Sequence, residues 1–276
     1  MEQIILRFSH LAQQIFQNLK NQGLAKCREV CRLWRTFIDK RNYPWIRIVN
    51  IPTILQIRQT YLHLAVRSGQ IDMVETIMEN SVALAIDLNA KDCIGTTAFH
   101  HACVFGKVKI TEIFIKNSQD LSIDLNLRCK TGTTSFNYAC LHGQTKIAEI
   151  LVKNSEKIKM DLNTKNEFAE SPFHYACSGN FFNIVEMMIR HSDFYKFDYA
   201  AKDRHGRTGF QRACLFRCKK VVEIIIRNSK SFDFDLTAQD CNGETGFQVA
   251  KRYGYLDIIN IIKTERPDFE FPWIRL

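Results

Sequence analysis

Residues 96–103 read TTAFHHAC, and the phrase returns, altered but in step, as TTSFNYAC at 133–140, ESPFHYAC at 170–177, RTGFQRAC at 207–214 and ETGFQVAK at 244–251. A fainter copy, TYLHLAV, begins at Thr60. The hydroxyl residues Thr60, Thr97, Thr134, Ser171, Thr208 and Thr245 each lie 37 positions after the one before. Self-similarity without a slip in register marks a repeat array. Each unit of such an array is one small element that buries its apolar face only by stacking on its neighbours.

The columns of the repeat specify a helical unit. The hydroxyl residue is suited to cap a helix, because its oxygen can accept one of the N–H groups left unpaired at a helix start. Two positions on, Leu62, Phe99, Phe136, Phe173, Phe210 and Phe247 supply a large side chain for a core. Three further on, Ala65, Ala102, Ala139, Ala176, Ala213 and Ala250 are small enough to let neighbouring helices approach. Gly69, Gly106, Gly143 and Gly254 then end the first helix. A second helix follows, with apolar pairs one turn apart such as Ile147–Ala148 and Leu151–Val152. The expected fold is all-α, each unit being helix, turn, helix and loop.

These residues resemble the ankyrin repeat, whose signature is D-x-x-G-x-T-P-L-H-x-A-x-x-x-G. Asp92 with Gly95, Asp203 with Gly206 and Asp240 with Gly243 match its leading loop, and His63, His100 and His174 its histidine. Phe replaces the usual Leu, and Pro172 alone keeps the proline. The resemblance covers about residues 56–265 and implies a solenoid of six units over 60–263, starting near 60, 97, 134, 171, 208 and 245. The units are longer than the usual ~33 residues. The excess falls between the second helix and the next hairpin, in stretches such as NSQDLSIDLN from Asn117 and NSKSFDFDLT from Asn228.

The period also disposes of apparent catalytic groups. FHHAC at 99–103 pairs histidine with cysteine, but Cys103, Cys140, Cys177 and Cys214 fill one column beside the alanines, where a small buried thiol packs well. Asn137, Gln211 and Gln248 replace the column's histidine. No catalytic residue and no metal or cofactor are expected. The start, MEQIILRFSH, lacks the basic region and apolar core of a signal peptide, so an intracellular chain, cytoplasmic or nuclear, is expected. Its ten cysteines are then free thiols.

The 276 residues carry a formal charge of +9, unevenly placed. Residues 1–48 hold nine Lys or Arg against three Asp or Glu, a net of +6, which leaves +3 for the rest. Within this basic segment, KCREVCRLWRTFI (26–38) places Cys27, Val30, Cys31, Trp34, Phe37 and Ile38 on one helical face. Ile15, Phe16 and Leu19 form another stripe, set off by the turn-like Asn21-Gln22-Gly23. No second cysteine pair lies nearby to complete four zinc ligands.

This segment resembles an F-box, the three-helix motif that docks substrate receptors onto the Skp adaptor of SCF ubiquitin ligases. The matching residues are IFQNL at 15–19, Leu24, VCRLWR at 30–35 and Trp45. Arg7, Phe8 and His10 stand where the family opens with Leu-Pro and an acidic residue. The resemblance assigns Phe8, Ile15, Phe16, Leu19, Leu24, Val30, Cys31 and Trp34 to the adaptor-binding motif. The expected organisation is an F-box-like 1–48, a linker 49–59, the repeats, and a tail 264–276.

Together the resemblances imply a non-catalytic receptor that holds a Skp adaptor, and through it a cullin, at one end and a target protein on the repeats. The rival is an ankyrin scaffold or inhibitor without a ubiquitin role, its N-terminal helices only a cap. Ankyrin repeats bind through hairpin tips and first helices, which nominates Ile94, His101, Phe105, Tyr138, His142, Phe168, Tyr175, Arg204, His205, Arg207, Arg212 and Phe216 for the target. The passage from apolar to basic along this set favours a partner with an acidic end. No membrane contact is expected. Nucleic acid is disfavoured too, because aromatics are not interleaved with a basic stripe.

Overall fold

Twelve α-helices and no strand make up the described part of the computed structural model, residues 59–83 and 85–266. The adaptor-motif residues and residues 267–276 of the tail lie outside it. The helices fall in pairs. The first members are α1 (Tyr61–Ser68), α3 (Ala98–Val104), α5 (Ser135–Leu141), α7 (Pro172–Ser178), α9 (Gly209–Leu215) and α11 (Gly246–Arg252). The second members are α2 (Ile71–Glu79), α4 (Val108–Asn117), α6 (Thr145–Ile158), α8 (Phe182–Arg190), α10 (Lys219–Asn228) and α12 (Leu256–Glu265). Each first helix packs on the next first helix, each second on the next second, and the two of a pair on each other, which builds a two-layered solenoid. None of these helices is long and apolar enough to cross a membrane.

The hydroxyl column caps the first helices. Thr60, Thr97, Thr134, Thr208 and Thr245 each accept a bond from the N–H three residues on. The side chain at that third position bonds back to the cap, in most units through the cap N–H, as Gln211 Oε1 accepts from Thr208 N–H at 2.8 Å, and at Asn137 through the Thr134 hydroxyl. It also reaches the following unit. His63 Nε2 meets the Thr96 carbonyl at 3.0 Å, Asn137 donates to Thr164 O at 3.0 Å, and His174 Nε2 meets Arg207 O at 2.9 Å. One polar side chain therefore closes a helix start and ties two units together, which is why Asn and Gln can replace the histidine.

The alanine and Leu/Phe columns are buried throughout, with Phe136 and Ala139 wholly enclosed. Each such Phe contributes about 1.5–3 kcal/mol of burial. Close packing is visible where α9 begins with Gly209, since a Cβ there would stand 2.5 Å from the Phe173 ring of the preceding unit. The cysteine column is equally closed, and burial pushes the thiols of Cys103, Cys140, Cys177 and Cys214 far up.

The extra length of each unit folds into a loop that lays two apolar residues over the stack. Ile123 with Leu125, Met160 with Leu162 and Phe197 with Tyr199 are all buried there. Between each pair sits an aspartate. In three loops, an asparagine 37 positions from the next one bridges units. Asn89 Nδ2 donates to Ser122 O at 3.0 Å, Asn126 to Ile158 O at 2.8 Å and Asn163 to Lys196 O at 2.6 Å. Towards the C-terminal end aromatic packing takes over, with Tyr199 against Phe173 and Phe234 at ring-centre distances of 4.9 and 4.7 Å.

Candidate functional site

The hairpins between units are joined tip to tip. Lys130 N–H donates to Ile94 O, Glu167 to Thr131 O, Arg204 to Phe168 O and Cys241 to His205 O, all at 2.9–3.0 Å. Each hairpin is shaped by a side chain five residues before the cap, which accepts N–H bonds from two and four residues on. Asp203 Oδ1 takes those of His205 and Arg207 at 2.8 and 3.0 Å, and Asn166 Oδ1 those of Phe168 and Glu170 at 2.9 Å. Cys129 stands at this place in the third unit. Burial works to raise its thiol, but hydrogen bonds from the Thr131 and Tyr138 hydroxyls and from the Thr131 and Thr133 N–H groups outweigh it and hold the thiol below its ordinary value.

The residue nine positions after this one lies on the first helix and bonds back to it. His101 Nε2 meets Asp92 Oδ2 at 3.1 Å, Tyr138 Oη donates to Cys129 Sγ at 3.5 Å, and Asn166 Nδ2 donates to Tyr175 Oη at 2.6 Å. Arg212 reaches Asp203 Oδ2 at 3.5 Å and also pairs with Glu170. In the last unit the helix offers Val249, and Asp240 pairs instead with Arg207 Nε at 3.6 Å. This pairing escaped the sequence reading, which took His101, Tyr138, Tyr175 and Arg212 as residues facing a partner. His101 and Tyr175 are buried, and Tyr138 and Arg212 are partly so. The signal was present as two columns nine apart that change together.

Beside this floor lies an exposed rim. Ile94 (55%), Phe105 (41%) and Phe216 (54%) present apolar surface, and His142 is exposed. Arg67 lies over the Phe105 ring, 5.4 Å from its centre, and Arg204 over Phe168 at 4.6 Å. The stretch from Arg204 to Arg217 is less positive than its composition indicates. Arg212 is internal, Arg207 pairs with Asp240, and Arg217 Nε pairs with Asp257 at 3.1 Å. Arg204 and His205 remain at the hairpin tip, joined through Nε to Nε2 at 3.1 Å.

The exposed aromatics and arginine of this rim are residue types enriched at protein contact surfaces. The family model for ankyrin repeats, in three copies, matches residues 62–166 and 156–239. The chain is an ankyrin-repeat protein. An F-box-like model matches residues 9–51, so an F-box-like domain precedes the repeats. Among solved structures, the chain is similar to the crystal structure of EF0377, an ankyrin repeat protein, with a TM-score of 0.61 and 20% identity over 73% of this chain and 95% of that one. No curated protein matches it. Both domain types are typically non-catalytic interaction modules, and they fit a receptor or a scaffold role alike.

Proposed function

We propose that this ankyrin-repeat protein is a substrate receptor of an SCF-type ubiquitin ligase, acting in the cytoplasm or nucleus without catalytic residues of its own. The observation that carries the proposal is the conjunction of an F-box-like domain at 9–51 with a repeat array whose rim exposes Ile94, Phe105 and Phe216. Phe8, Ile15, Phe16, Leu19, Leu24, Val30, Cys31 and Trp34 dock the Skp adaptor, which brings the cullin. The basic N-terminal segment speeds encounter with an acidic adaptor surface.

On the repeats, Ile94, Phe105, His142, Phe168, Arg204, His205, Arg207 and Phe216 contact the target. His101, Tyr138, Tyr175 and Arg212 hold the floor from which those side chains project. Holding both proteins on one chain makes ubiquitin transfer effectively intramolecular.

The test is co-purification of the full chain with a Skp adaptor and cullin, beside a deletion of residues 1–48 and the double variant Ile15→Ala with Trp34→Ala. Recovery by the full chain, lost in both variants while the helical circular dichroism of the repeats persists, supports the receptor. A folded full-length chain that recovers no adaptor sinks it.

A further inference from the structure

Three columns flank each of the first four junctions between units: the third helical residue of one unit, and the hairpin and helix residues, nine apart, of the next. At successive junctions they are His63, Asp92 and His101; His100, Cys129 and Tyr138; Asn137, Asn166 and Tyr175; His174, Asp203 and Arg212. Among the described residues, the first junction alone gathers three groups of metal-ligand type, one donor atom from each lying within 4.8 Å of the others. The geometry points to a divalent transition-metal site, of zinc type, formed by His63, Asp92 and His101.

Two imidazoles and one carboxylate with an open fourth position are a donor set that zinc accepts. Bound at ~2.0–2.1 Å with tetrahedral angles, they would stand ~3.3 Å apart. His101 Nε2 and Asp92 Oδ2 are already 3.1 Å apart. The two rings meet edge to face with centres 5.1 Å apart. His101 is the adjustable member, because its Nδ1 is buried without a hydrogen-bond partner and its ring is tethered at Nε2 alone. Its side chain, 10% exposed beside Phe105, is where an ion would enter.

Protons balance without release to solvent. Asp92 is ionised and both imidazoles are neutral, burial holding each below its ordinary value. For His63 to bind through Nε2, its proton moves to Nδ1, where Thr60 Oγ1 at 2.8 Å accepts it, and the bonds to Thr96 O and from Thr60 N–H are given up. His101 likewise frees Nε2 by carrying its proton on Nδ1, which has no hydrogen-bond partner. That exchange, with the Arg67 charge acting on His101, weakens the affinity.

The repeats themselves supply test substitutions that keep each position's fold role. His63→Gln places there the residue of the fifth and sixth units, Asp92→Asn that of the fourth, and His101→Tyr that of the third and fourth. Zinc alone would be titrated into the reduced full-length chain against a chromogenic chelator, with cobalt absorption as the second readout. The expected result is one micromolar site that raises the thermal midpoint and gives visible d–d bands without a thiolate charge-transfer band. Each variant should bind at least about tenfold more weakly with its metal-free midpoint nearly unchanged. Zinc held only with a thiolate band, equal binding by all three variants, or no site tighter than millimolar would overturn the assignment.

Discussion

Arg212 lies 3.5 Å from Asp203, nine residues before it, and at the same time pairs with Glu170 of the preceding hairpin. The guanidinium side chain is 12% exposed and the Asp203 side chain 3%. The ion pair therefore joins two hairpins from below. Removing the cation leaves two carboxylates facing each other with little water, so Arg212→Leu should cost about 2–3 kcal/mol, short of the full penalty for a wholly buried pair. Burial works to raise Glu170, but the Arg212 bond and charge, with hydrogen bonds from Tyr175 and Asn166, together outweigh it and hold the carboxyl below its ordinary value. The stabilisation is thus present above the unfolded carboxylate pKa and is lost as pH falls through the depressed one. Urea unfolding at pH 7 and at pH 3.5 should show a large difference between wild type and variant at pH 7 and a smaller one at pH 3.5.

Ala169 adopts a left-handed backbone at φ +56°, where the equivalent residues Gly95, Gly132, Gly206 and Gly243 lie at +70° to +81°. A Cβ in that region costs ~1–2 kcal/mol, partly offset because glycine orders at a larger entropic cost. Ala169→Gly should therefore stabilise the chain by about 0.5–1 kcal/mol. The reverse change is harsher, since a Cβ on Gly95 would meet Lys130 N at 2.8 Å. Gly95→Ala should lower the denaturant midpoint clearly. A rise in midpoint for Gly95→Ala, or a fall for Ala169→Gly, would refute the strain argument.

The architecture was legible because caps, glycines and the Phe and Ala columns all recur with one period, and each acts within its own unit or on its immediate neighbour. The floor of the binding face was not. His101, Tyr138, Tyr175 and Arg212 share a helical position that ordinarily looks outward, and periodicity alone does not show that each has a partner in the hairpin before it. Because the pair is His–Asp in one unit, Tyr–Cys in the next and Arg–Asp later, neither column repeats a chemistry that a motif search would catch. The loop asparagines were passed over for a related reason: the column stops at Ala200 and Thr237. The junction of His63 with His101 was hidden because the two belong to different columns of different units.

The loop asparagines carry a prediction of their own. The Asn126 side chain donates to Ile158 O and its backbone N–H donates to Asp124 Oδ1 at 2.9 Å, so its side chain spans adjacent units while the loop holds its backbone. Since the site is exposed, water replaces part of what is lost, and Asn126→Ala should cost only about 0.5–1.5 kcal/mol. In an array of nearest-neighbour contacts that loss is local. Hydrogen exchange should quicken around Ile123, Leu125 and the end of α6, with little change in α10 and α12. An even acceleration over the whole array would contradict this account of the loops.

His100 sits at 0% exposure between the second and third units, its ring edge to face with Tyr138. Burial pushes its pKa down to about 4, and it holds His63, His101 and His174 below the ordinary value as well. The unfolded chain therefore binds protons that the folded one refuses, and stability must rise with pH over this range. It is fully present above about pH 6.5 and is lost as pH falls towards 4. For His100 alone, the loss between pH 7 and pH 5 is about 2 kcal/mol. His100→Asn places there the residue that serves as Asn137 in the next unit, where its N–H bonds the cap hydroxyl and its side chain reaches the following unit. Urea unfolding at pH 7, 6 and 5 should show a shallower acid decline for His100→Asn than for wild type. Parallel declines would mean that the buried imidazole is not what the acid limb reports.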